Sequence, residues 1–110
     1  MEGESISTIE QKIIEGQVVE AIRTCYDPEI PVNIYDLGLI YSVTVAADGG
    51  VLVTMTLTSP YCPAAQSLPP EVEAKIKGVP GVTAAKVAIV WDPPWNPSMM
   101  TEAAKLELGF

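Results

Sequence analysis

The chain has 110 residues, enough for one domain with a sizeable core and too few for two. Its 6 basic residues against 14 acidic ones leave a net charge of −8, which repels phosphate backbones and anionic membrane surfaces, so neither nucleic acid nor membrane is an expected partner. There is no histidine, and the 2 cysteines, Cys25 and Cys62, form no CxxC pair; this argues against a Ser-His or Cys-His hydrolase, a His-based zinc site and a disulfide scaffold.

Residues 1–7 are polar and read as a flexible N-terminus, with the domain spanning 8–110. The start lacks the basic stretch of a signal peptide, and no apolar run approaches the roughly 20 residues of a membrane span. The expected compartment is therefore the cytoplasm, where both thiols stay reduced. Ser7 or Thr8 can cap a first helix running to about Cys25, with Ile9, Ile13, Val18, Ile22 and Cys25 as its inward stripe. On that stripe Cys25 is expected to be a small buried hydrophobe.

Asp27-Pro28-Glu29-Ile30-Pro31 ends the helix, because a residue before proline is pushed out of the α region. Val32 to Ile40 is then an unusually apolar loop with one carboxylate, Asp36, and one glycine, Gly38, suited to a positive φ. Asp36 either bonds nearby backbone N–H groups or belongs to a functional site. Alternation over Tyr41 to Ala46 predicts a first strand, Asp48-Gly49-Gly50 a hairpin turn, and Val51 to Thr58 a second strand. The outward positions Ser42, Thr44, Thr54, Thr56 and Thr58 carry no charge and desolvate easily, which leads us to expect a homodimer. Prolines at 60 and 63 then bracket Cys62, placing a thiol in a stiff loop just past a strand end.

Ser67 reads as the cap of a second helix with Pro69 and Pro70 in its first turn, Leu68, Val72, Ile76 and Val79 on its buried side, and Gly78 at its end. A third strand is predicted over Ala85 to Trp91, with Val87, Ile89 and Trp91 on one face. Asp92 to Pro97 forms a rigid loop, and Ser98 caps a last helix that turns Met99, Ala103 and Leu106 inward until Gly109. Trp91 and Trp95, large aromatics beside prolines, suit the sealing of one end of a small core.

The expected architecture is α+β: a two-layer domain in the order α-β-β-α-β-α, with a three-stranded mixed sheet against helices. A hairpin puts the start of the first strand beside the end of the second, and a helical crossover makes the third run parallel to the second. Three segments therefore converge on one sheet edge: the Asp36 loop, the Cys62 loop and the Asp92 to Trp95 loop. That edge gathers a thiol, the carboxylates Asp27, Asp36 and Asp92, and two indoles. Thiolate is the soft ligand for iron, and a carboxylate can complete a coordination shell. A single chain lacks the four thiolates of a stable cluster, so ligands would be shared with a second copy or a client.

The stretches Asp27 to Tyr41, with its Asp36-Leu37-Gly38-Leu39 core, Thr56 to Pro63, and Val90 to Trp95 resemble the SufT-like metal–sulfur cluster assembly family, related to the phenylacetate-degradation accessory protein PaaD. The resemblance implies an accessory or carrier factor in iron–sulfur cluster assembly and maturation, not an enzyme, with the iron–sulfur machinery and client apoproteins as partners. It maps the motif cysteine onto Cys62, as cofactor and metal contact, and the motif aspartate onto Asp36. Asp27, Tyr61, Asp92 and Trp95 are expected to shape the site or touch partners. No cofactor is expected to be tightly bound; iron or an iron–sulfur cluster would be held transiently. The other readings of the same thiol are a redox enzyme, disfavoured by the lack of a resolving CxxC partner, and a purely structural adaptor. In relatives a helix runs directly from the Cys-Pro pair, whereas Pro69-Pro70 here is expected to delay its start and weaken activation of Cys62 by the helix dipole.

Overall fold

The computed structural model describes residues 7–26, 30–58 and 64–109. The first helix, α1, spans Thr8–Ile22. Ser7 Oγ accepts the Glu10 N–H at 3.1 Å, and the Glu10 carboxylate accepts the Ser7 N–H at 2.9 Å, so two otherwise orphaned donors are satisfied reciprocally. Its buried stripe is Ile14, Val18 and Ile22, with Cys25 beyond the end. Ile9 and Ile13 are instead 72% and 54% exposed, a correction to the expected stripe. The next position in a stripe through Ile9 and Ile13 is the polar Gln17, whereas the stripe through Ile14 meets apolar residues at each step of four.

Strands β1 (Ile40–Val45) and β2 (Gly50–Met55) form the expected hairpin. After α2 (Ala64–Lys77) the chain enters β3 (Ala84–Ile89), and the sheet order is β1-β2-β3, antiparallel then parallel. Val51, Val53 and Met55 of β2 face the helices and are buried, together with Leu68, Val72 and Ile76 of α2. The opposite sheet face is open and carries Ser42, Thr44, Leu52, Thr54, Lys86 and Ala88. The second strand stops three residues earlier than expected, and Thr56 is fully buried, not outward, because its N–H donates to the Leu39 carbonyl at 2.9 Å and draws it under the preceding loop.

The end of the sheet nearest the hairpin turn is clamped. The Thr83 N–H donates to the Gly49 carbonyl and its hydroxyl to the Asp48 carbonyl, both at 3.0 Å, just before β3 begins.

Two helix starts differ from expectation. The second helix begins at Ala64, so Pro69 and Pro70 lie inside it and the delayed start is overturned. Their rings withdraw the N–H groups that would have bonded the carbonyls of residues 65 and 66, a cost of about 3 kcal/mol for proline in a helix interior. Burial of Leu68, Val72 and Ile76, at roughly 2 kcal/mol each, offsets it. Near the C-terminus Asn96, not Ser98, caps a 3-10 turn, Pro97–Met99. Helix α3, Glu102–Leu108, follows under a Thr101 cap and ends at Gly109 with φ 83°. Met100 and Ala104 are consequently the buried pair, while Ala103 and Leu106 face outward, because the cap lies three residues later than predicted.

Candidate functional site at the strand ends

The apolar loop before β1 is built by Asn33. Its Oδ1 accepts the Asp36 N–H at 2.9 Å and its Nδ2 donates to Asp36 Oδ2 at 3.0 Å, while its carbonyl accepts the Leu37 N–H at 3.0 Å. Ile34, Leu37 and Leu39 are wholly buried beneath this turn, which leaves the Asp36 carboxylate at the rim, 22% exposed. Asp36 Oδ1 faces Arg23 Nη2 at 3.8 Å, and the same guanidinium lies 5.0 Å above the Tyr35 ring. Both oxygens of Asp36 are thus engaged, by Asn33 within the turn and by Arg23 at the end of α1, so its first role is to hold the loop.

Gly38 has φ 84°, and a Cβ there would run into the Met99 carbonyl oxygen. That close approach lets the segment after β3 lie directly on the loop. Trp95 Nε1 donates to the Leu37 carbonyl at 2.7 Å, the Thr101 N–H to the Asp36 carbonyl at 2.9 Å, and the Tyr41 hydroxyl to the Pro93 carbonyl at 2.7 Å. Partial desolvation and the nearby Asp92 charge both raise the Tyr41 pKa above its ordinary value.

The register puts Ile40 opposite Met55, and Met55 opposite Ile89, in one row. The Asp36 loop, the segment after β2 and the Asp92–Trp95 loop therefore leave the sheet side by side, as the topology predicts. Asp36, Asp92 and Trp95 are brought to this edge. Cys62, Tyr61 and Asp27 lie outside the described residues; the helix that follows Cys62 starts two positions later, at Ala64. Thr56, just past the end of β2, is buried, and its hydroxyl has no hydrogen-bond partner among the described residues. Read as one more outward threonine in an alternating strand, it gave no distinguishing signal.

Cys25 is buried with no disulfide, and burial, reinforced by the Glu71 charge, raises its thiol pKa. It is the small buried hydrophobe expected for this position. Among the described residues no three of His, Cys, Asp and Glu are grouped to hold a metal ion, and no helix is long and apolar enough to cross a membrane.

Residues 15–88 match the model of the iron–sulfur cluster assembly protein family. The chain belongs to this family. A protein of Porphyromonas gingivalis named Fe-S protein maturation auxiliary factor is 56% identical over 96 residues, covering 87% of this chain and 91% of its own. The Staphylococcus aureus Fe-S protein maturation auxiliary factor SufT is 41% identical over 83 residues, covering 76% and 94%. Among solved structures, a domain of unknown function from Bacillus anthracis superposes with a TM-score of 0.87 at 34% identity, covering 94% of this chain and 99% of its own. These matches confirm the SufT-like resemblance and the α+β architecture.

Proposed function

We propose that the protein is a non-enzymatic accessory or carrier factor in the maturation of iron–sulfur proteins, working in the cytoplasm with the assembly machinery and client apoproteins. The observation that carries this reading is the single row Ile40, Met55, Ile89, from which three motif-bearing segments emerge together. By its place in the sequence Cys62 belongs to the middle segment, just ahead of the N-terminus of α2, whose partial positive charge favours thiolate. The thiolate is a soft ligand that can take iron or a cluster edge and release it by ligand exchange, with no net change in oxidation state. Asp36 supports the site by fixing the loop that borders it, its carboxylate held by Asn33 and Arg23. One thiolate leaves a cluster unsaturated, so the remaining ligands come from a second copy or from the client.

Anaerobic reconstitution with ferrous iron and sulfide, followed by incubation with an apoprotein client, tests the reading. Visible absorption and client activation that disappear in Cys62→Ser support it. Peroxide-dependent turnover, or full client activation by the Cys62→Ser protein, overturns it.

A further inference from the structure

The two edges of the sheet are treated differently. At the β3 edge the Val87 N–H, which faces away from β2, donates to Glu73 Oε2 of α2 at 3.0 Å. That carboxylate sits where a further strand would place its carbonyl and so obstructs pairing. At the β1 edge the pattern is set by the Ala46 N–H, which donates to the Gly50 carbonyl at 2.8 Å. Counting back by twos, Thr44 and Ser42 bond toward β2, and Val45 and Val43 present their backbone groups outward. The Val45 carbonyl accepts Gln11 Nε2 at 2.9 Å, which marks the end of the open stretch. Among the described residues neither the N–H nor the carbonyl of Val43 has a partner.

Beside this stretch runs a groove of about 190 Å³ between α1 and β1. Its lining is more polar than apolar: Val19, Ile40 and Val43 contribute the smaller apolar part, Tyr35, Tyr41 and Ser42 line it as well, and Glu15 is its acidic group. An added strand would send alternate side chains into this groove while its backbone paired with Val43.

We propose that the free edge of β1 docks an extended segment of a partner protein that carries a lysine or arginine among β-branched residues such as valine and threonine. The aliphatic stem of the basic side chain lies along Val19 and Ile40, and its charged head meets Glu15. Charge decides the occupant. A second copy of this chain supplies no basic residue from Ile40–Val45, and its own Glu15 would come to the same seam. The groove shares Tyr35, Ile40 and Tyr41 with the strand-end site, so the docked segment leads toward that site. As a path for clients this rests on the maturation role proposed above, but peptide binding is measurable without it.

The test uses the full chain and two seven-residue blocked peptides of valine and threonine, one with a central lysine and one with a central glutamate. Binding is followed by NMR titration and by hydrogen exchange of the Val43 amide. The lysine peptide is expected to bind and to slow Val43 exchange. Val43→Pro, which removes the edge donor, should weaken binding about tenfold. Glu15→Lys, on an exposed helix position that leaves the fold intact, should weaken it about fivefold and reverse the preference toward the glutamate peptide. No saturable binding, binding that leaves Val43 exchange unchanged, or equal affinity of both peptides in the Glu15→Lys protein overturns the proposal. Val43 exchange that slows with protein concentration alone overturns it in favour of self-pairing. Peptide binding by a protein that fails iron–sulfur reconstitution counts against the maturation role and supports the edge site.

Discussion

The indole of Trp95 reaches back across the sheet edge to the Leu37 carbonyl, 2.7 Å away, and ties the last loop of the chain to the turn that displays Asp36. Leu37 is wholly buried, so its carbonyl has no ready alternative partner. Trp95→Phe keeps most of the aromatic surface and deletes the donor. It should cost about 1 to 3 kcal/mol in urea unfolding and speed amide exchange in residues 33–39. Unchanged stability together with unchanged exchange would mean that this bond does not hold the loop.

Two glycines should respond in opposite directions to the same added methyl. Gly38→Ala combines a positive φ with a collision against the Met99 backbone and should destabilise the fold by at least about 2 kcal/mol. Gly16 lies in α1 with nothing near its would-be Cβ, and Gly16→Ala should stabilise by about 1 kcal/mol. Thermal melts of the two variants decide it; a stabilising Gly38→Ala would refute the described packing of the last loop.

The two thiols should separate by reactivity. Cys62 is expected to alkylate within minutes in the native state and Cys25 only in denaturant, and Cys62→Ala should leave stability nearly unchanged. Cys25 also gives a pH dependence of known sign. Its folded pKa is raised above the ordinary 9.0, so its contribution to stability is complete below that value and is lost as pH rises through the folded pKa. Cys25→Ala should flatten this alkaline decline in denaturant midpoints. An unaltered decline would assign it to other groups, and equal native labelling of both thiols would remove the case for Cys62.

Pro70 is exposed in α2, and its ring leaves the carbonyl of residue 66 without its helical donor. Pro70→Ala restores that donor without emptying any core volume, and should raise stability by roughly 1 to 3 kcal/mol. A lower melting temperature in this variant would show that the proline acts chiefly by restricting the unfolded chain.

Much of the fold was legible because local chemistry and burial agreed. The Ser7 cap, the Asp48-Gly49-Gly50 turn and the Leu68, Val72, Ile76 stripe all read directly from residue type and spacing. The phase of α1 did not, because adjacent isoleucines at 13 and 14 offer two stripes and only the packing partner chooses between them. The last helix was misplaced because Asn96, Ser98 and Thr101 are all competent caps, and Pro97 diverts the first of them into a 3-10 turn. In the candidate site, the convergence of loops followed from topology alone. What escaped was which polar atoms satisfy one another: that Asn33 and Arg23 occupy Asp36, and that Thr56 is buried, are settled by contacts between distant segments.

The clamp at Thr83 governs an event at the far end of the sheet. Six residues of β3 separate it from the segment leading to Asp92, a span of about 20 Å at strand spacing. If the clamp let β3 slip by one residue against β2, Asp92 and Trp95 would shift about 3.3 Å along the edge, and Val87 and Ile89 would turn from the core to the open face. The gauge of the candidate site is therefore set at the hairpin turn, and a one-residue insertion between Gly81 and Ala84 would misalign a site it never touches.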